Sequence, residues 1–212
     1  WKDGLKAWGE SPKRIQDLRN AVSMEIYTPA SRAGIPLSIL SSFKAPSKEF
    51  LLDPDAMRER VLSTTSSLLG LLGITADPIK SREHILISTI IDRSWREGKD
   101  VDLADLIQQV QKPLLDKIGV LNVDTFFPPK ERMTLSIHLN NLLASPGFHA
   151  WMEGAPLDIQ NLLYTSEQKP KISVISIAHL TDPERMFFAT LFLNELIAWT
   201  RKQPGTSSLR AI

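Results

Sequence analysis

The stretch KISVISIAHLTDPERMFFATLFLNELIAWTRKQPGTSSLRAI, residues 171–212, decides the fold class. Its opening segment, Lys171 to Ile177, is rich in β-branched residues and nearly continuous in apolar character, the pattern of a parallel strand covered on both faces. Thr181, Asp182, Pro183 and Glu184 then form a capping box with a proline in the first turn, so a helix starts there. The helix spans 182–200 and carries Met186, Phe187, Phe188, Leu191, Phe192, Leu193, Leu196, Ile197 and Trp199, which makes it apolar nearly all round. A helix without a wet face belongs inside a larger body. Gly205 with Thr206, Ser207 and Ser208 reads as a loop, and Leu209, Arg210, Ala211 and Ile212 begin another strand. Strand, buried helix, loop and strand make half of a βαβ unit, so an α/β core is expected.

Upstream of that stretch, from Asp53 to about Leu163, the chain reads as helices only. Asp53 and Pro54 are a cap and first-turn pair, after which Met57, Val61, Leu62, Leu68, Leu69 and Leu72 keep one face apolar until Gly73. A second helix runs over 81–97, with Ile85, Leu86, Ile90, Ile91 and Trp95 inward and Gly98 as its stop. A third covers 102–110 and is ended or kinked by Pro113; a fourth covers 130–143 and aligns Leu135, Leu139, Leu142 and Leu143. Four or five amphipathic helices with short connections predict a small bundle. Near the start, Ser11 and Pro12 open a short helix over 12–20, Met24 to Tyr27 reads as a short strand, and Ala33, Gly34, Ile35, Pro36 and Leu37 read as a loop lying across a surface. The expected organisation is a partial α/β core segment at 1–50 with its strand near 24–28, a helical insertion at 51–165, and a second core segment at 166–212 holding strand 171–177, helix 182–200 and the start of a strand at 209–212.

Composition narrows the functional classes. Of 212 residues, 42% are apolar and 23% charged, the mixture of a globular chain that buries a core. With 25 Lys and Arg against 24 Asp and Glu, no global field draws the chain to nucleic acid or to an anionic membrane. There is no cysteine, which excludes disulfides, thiol nucleophiles and cysteine-based zinc sites, and a cytoplasmic location is the expectation. The richest apolar run, Leu68 to Ile74, is far too short for a bilayer span and is broken by Gly70 and Gly73. The sequence opens at Trp1 and closes inside an apolar run, so both ends read as cuts.

Candidate chemistry is sparse. The histidines His84, His138, His149 and His179 sit at no metal-ligand spacing; His84 and His138 read as helix-surface rings, His149 as a loop ring, and His179 as a ring at the carboxyl end of a strand, where α/β sheets gather their ligands. Asp182, Glu184 and Arg185 form an acidic and basic triplet, but the helix start accounts for both carboxylates and leaves only Arg185 without a local role. Arg201, Lys202 and Arg210 surround the Gly/Ser/Thr loop as a weak basic patch. Trp1, Trp8, Trp95, Trp151 and Trp199 lack regular spacing with basic residues and read as packing anchors. No G-x-x-x-x-G-K-[ST] occurs; the only Gly-Lys pair, Gly98 with Lys99, lies at a helix end and precedes Asp100, so the chain alone has no P-loop route to a nucleotide.

The segment from Ile172 to Ile212 resembles part of the bacterial HerA-like ATPases (the helicase HerA central domain), in the FtsK/HerA P-loop NTPase superfamily, as do the string IYTPASRAGIPLSILSSF from Ile26 to Phe43 and the motif of Trp151, Gly154, Pro156, Leu157, Asp158 and Ile159. The resemblance implies a partial RecA-like core of few parallel strands with a large inserted helical bundle, cut from between the Walker A and Walker B motifs. It implies a parent that hydrolyses ATP with Mg²⁺ and moves along DNA as a translocase or helicase, assembled as a homo-oligomeric ring such as a hexamer, with a partner protein and no membrane contact. It carries no catalytic, cofactor-binding or metal-binding residue onto this chain; Arg185 and Arg210 are the candidates for an arginine acting across a subunit boundary. Two other readings stand beside it: a self-contained helical module that binds another protein, and a metal- or acid/base-dependent enzyme, which the scattered histidines disfavour.

Overall fold

A computed structural model of the chain describes residues 2–204. The loop expected at Gly205 to Ser208 and the strand expected from Leu209 to Ile212, Arg210 included, lie outside the described residues, as does Trp1. The elements follow in chain order as α1 (Lys2–Ala7), α2 (Pro12–Ala21), β1 (Ser23–Tyr27), β2 (Leu37–Ser38), a 3₁₀ turn at Leu40–Phe43, α3 (Lys48–Leu51), α4 (Pro54–Leu71), α5 (Arg82–Arg96) and α6 (Leu103–Gln111). They continue as β3 (Lys117–Ile118), β4 (Leu121–Asn122), α7 (Val123–Phe126), α8 (Pro129–Ala144), α9 (Pro146–His149), β5 (Ala155–Pro156), α10 (Ile159–Leu163), β6 (Lys171–Ile175) and α11 (Asp182–Arg201).

Local chemistry sets the helix ends. The side chains of Ser11, Asp53, Asp102, Asn122 and Asp158 accept backbone N–H groups at the starts of α2, α4, α6, α7 and α10. Gly73 and Gly98 take positive φ after α4 and α5. In each case the next N–H returns to a carbonyl five residues back, Ile74 to Leu69 and Lys99 to Ser94, so both helices end in the six-to-one closure that glycine permits.

The architecture is mixed helix and sheet, α/β in the broad sense. β1 and β6 pair in parallel with Ser23 opposite Lys171 and Tyr27 opposite Ile175. β2 and β5 pair in parallel over two residues, and β3 and β4 form a small antiparallel hairpin. The run from Ala33 to Leu37 is therefore more than a surface loop: Leu37 is buried and enters a strand, and Ala155 N–H donates to the Pro36 carbonyl. Gly154 makes that approach feasible, because it holds φ 98 and an added Cβ would lie 2.2 Å from the Pro36 oxygen.

Helices α4, α5, α6 and α8 pack in succession, and α11 lies against α4 on one side and α10 on the other. Leu86, Ile87, Ile91 and Trp95 of α5 are fully buried at the centre of one continuous core. Trp151 joins the end of the helical region to α11, edge-on to Phe187 with ring centres 5.7 Å apart. Among the described tryptophans Trp95 and Trp151 are fully buried and Trp199 packs against the core, as the expected anchors, whereas Trp8 is exposed.

The parallel pair departs from the expectation of a strand covered on both faces. Residues alternate along β1 and β6, and the face bearing Met24, Ile26, Ile172 and Val174 is open, at 57%, 58%, 40% and 51% exposure. The strand also ends at Ile175 rather than Ile177. Helix α11 divides in the same way: Phe187, Phe188 and Leu191 are buried, while Met186, Leu193 and Ile197 face outward. No helix among the described residues is long and apolar enough to cross a membrane.

Candidate functional site

The carboxyl ends of β1 and β6 are the first place to look for a ligand in a parallel sheet. Here the connecting segments satisfy one another. Thr28 Oγ1 accepts from Gly34 N–H and donates to the Ser31 carbonyl, each at 2.9 Å. The His179 ring meets the Pro29 carbonyl through Nε2 at 2.8 Å, tying the turn after β6 to the turn after β1. An added Cβ on Gly34 would lie 2.7 Å from the Ile26 oxygen, so this turn is packed backbone on backbone.

At the start of α11, Thr181 N–H donates to Glu184 Oε2 at 2.8 Å, the capping arrangement read from the sequence. Arg185 has a local role after all: Nε donates to the Leu180 carbonyl at 2.9 Å, and the guanidinium pairs with Asp182 at 3.2 Å. Arg201 is likewise engaged, by Asp53 at 2.8 Å and over the Phe50 ring. Asp53 is held below the usual carboxylate range, chiefly by the Ala56 N–H it accepts at the start of α4.

The histidines remain apart. His138 and His149 are exposed on α8 and α9. His84 is the correction: it is fully buried, with Nε2 2.9 Å from Ser66 Oγ, and burial pushes its pKa down. It lies three and seven residues before the buried Ile87 and Ile91, on the covered face of α5. Among the described residues no three His, Cys, Asp or Glu side chains gather as a metal cluster. The chain carries no P-loop sequence, and the turn after β1 is tied by its own hydrogen bonds.

Two polar clusters emerge that sequence spacing did not indicate. On the inward face of the sheet, Lys171 Nζ donates to Glu25 Oε2 at 2.7 Å and to the Asn161 carbonyl at 3.1 Å, and Tyr27 donates to the same carboxylate. The hydrogen bond from Lys171 lowers Glu25, the bond to Glu25 raises Lys171, and burial raises Tyr27. Every shift fixes the charge state already present near neutrality, which suits a structural tie and opposes proton transfer.

The second cluster lines a cleft of about 360 Å³ between the loop at 44–47, α4, the start of α10 and the last turns of α11. Arg60, with a side chain only 8% exposed, donates through Nη2 to Glu195 Oε1 at 2.7 Å. Its guanidinium carbon lies 5.6 Å from the Phe50 ring centre and 5.5 Å from that of Trp95, so aromatic rings clamp it. Arg60 Nε is buried and has no hydrogen-bond partner. Burial pushes the Glu195 carboxyl up against the pull of Arg60. Lys44 and Lys202 stand on the rim, and among the described residues neither forms an ion pair. The sequence signal for this site was faint: Arg60 and Glu195 each interrupt an apolar helical face, but nothing in the pattern pairs residues so far apart. No protein-family model, curated protein or solved structure gives a significant match to the chain.

Proposed function

We propose that this chain is the span of a HerA/FtsK-like P-loop ATPase between its two nucleotide motifs, and that the parent is an ATP-driven DNA translocase or helicase working as a homo-oligomeric ring. The observation that carries the reading is the parallel pair β1–β6, joined across the whole helical region and left with one apolar face open. Parallel strands pair stably when helices cover both faces, and among the described residues a single face is covered. Further strands and helices of a RecA-like core would supply the missing layer and lie against Met186, Leu193 and Ile197 of α11 as well. ATP and Mg²⁺ would be held by residues of the flanking segments, the Walker A lysine and the Walker B carboxylates, and the helical insertion would stand out from the motor toward neighbours, DNA or a partner protein. Arg185 already serves Leu180 through Nε and Asp182 through Nη1, so a role across a subunit boundary would fall to its remaining donors.

The decisive test is the reading frame around this sequence together with the activity of its product. The expected result is a G-x-x-x-x-G-K-[ST] motif upstream, an apolar strand ending in Asp-Glu downstream, and DNA-stimulated ATP hydrolysis by the whole protein but no saturable ATP binding by residues 1–212 alone. A parent without either motif overturns the proposal. The rival reading, a self-contained helical interaction module, draws on the closed core around α5 and on the burial of Phe187 and Phe188. It requires that the chain on its own be monodisperse despite the open sheet face.

A further inference from the structure

The cleft around Arg60 is independent of the proposed nucleotide motifs and has the composition of a ligand site. We propose that it binds a small oxyanion carried on a flat apolar body, an aryl phosphate or aryl carboxylate, with Arg60, Lys44 and Lys202 as its cationic partners. Three cations line the cleft against two carboxylates, Glu195 and Asp158. Asp158 is already spent on the start of α10, where it accepts from Asn161 N–H at 2.9 Å. Glu195 meets Arg60 through a single oxygen, although a guanidinium offers five donors in a fork that suits bidentate acceptors. Arg60 Nε is buried without an acceptor, so the guanidinium keeps donor capacity that Glu195 does not use.

Phe50 and Trp95 both lie against the guanidinium, with ring centres 5.6 and 5.5 Å from its carbon, and a planar fork held this way suits planar carboxylates and phosphates. Leu157, Ile159 and Trp199 add apolar lining to the same cleft. The volume, about 360 Å³, lies within the range of small-molecule pockets. A simple tie between α4 and α11 would account for the Arg60–Glu195 pair, but not for the further positive charge of Lys44 and Lys202 on the same rim; Lys202 is close enough to Glu195 and Glu49 to pull both carboxyls down, and among the described residues neither lysine forms an ion pair.

Titration of the chain with phenyl phosphate and with benzoate, followed by calorimetry and by the indole N–H signal of Trp199, tests the assignment. Saturation by either probe, with phenol silent, is the expected result, and the tighter probe identifies the oxyanion as phosphate or carboxylate. Replacing both exposed lysines, Lys44→Gln with Lys202→Gln, should weaken binding about tenfold or more while leaving the unfolding midpoint in place. Arg60→Lys keeps the charge and removes the fork, so it should also lose binding; if that variant fails to fold, the double lysine variant still decides. Absence of saturation by about 10 mM of both probes, or saturable binding that the double lysine variant leaves unchanged, overturns the proposal.

Discussion

The helices around α5 and the parallel pair β1–β6 follow opposite rules of closure. Around α5 the apolar side chains meet partners on every side, and Leu86, Ile87, Ile91 and Trp95 are fully enclosed. In β1 and β6 the alternation of the strand places every second apolar residue on a face that nothing in the described chain covers. Four helices can complete a core among themselves, whereas two parallel strands cannot. The stability of the chain as it stands should therefore reside in the helical region. Trp95→Ala is the sharpest way to break that view. It empties the centre of the core, removes the indole N–H bond to the Phe43 carbonyl at 3.1 Å, and takes one ring from the Arg60 clamp. A loss of about 3–5 kcal/mol in urea unfolding is expected. A loss under about 1 kcal/mol would mean that the centre of stability lies elsewhere.

A smaller effect separates the two regions by pH. His84 is buried and its pKa is lowered by desolvation, so between its folded pKa and the unfolded value near 6.5 the unfolded chain binds more protons. Stability should fall as pH drops through about 6.5 and level off once the folded ring also titrates. Urea midpoints at about pH 7.5 and 5.5 for the parent chain and for His84→Gln measure this, and the variant should show the flatter response. The subtraction removes contributions common to both chains, including that of Glu195, whose raised pKa acts with the opposite sign as pH rises. Equal slopes would show that burial does not hold the His84 ring neutral in the folded chain.

The sequence pattern revealed what depends on neighbours along the chain. The capping box at Thr181 and Glu184, the aspartate cap of α4, and the glycine stops after α4 and α5 all appear where local chemistry placed them. His84 was misplaced because a histidine near a helix start reads as polar, although its spacing from Ile87 and Ile91 put it on the buried face. The pairing of β1 with β6, the two-residue strand at Leu37, and the convergence of Arg60 with Glu195 were silent in the sequence, since periodicity reports which face is buried and not what buries it. For the same reason the continuous apolar run of β6 reads as doubly covered: the sequence records a demand for cover that the described residues meet on one side only.

That unmet demand gives the smallest expected effect and the closest test of the comparison. Ile26→Thr with Val174→Thr keeps β-branched side chains on the strands while reducing the apolar surface of the open face. If the face is bare in the chain alone, no buried contact is lost and the unfolding free energy should stay within about 0.5 kcal/mol of the parent. Binding of an apolar dye should fall, because the patch it adheres to has become more polar. In the whole protein the same pair of substitutions should cost more, since each hydroxyl would be buried against a covering helix without an acceptor, at about 1–3 kcal/mol apiece. The sign of that difference between the short and the whole chain is what matters. A large loss already in the short chain would place a cover over the sheet within residues 1–212, and equal small effects in both would leave the face open in the whole protein.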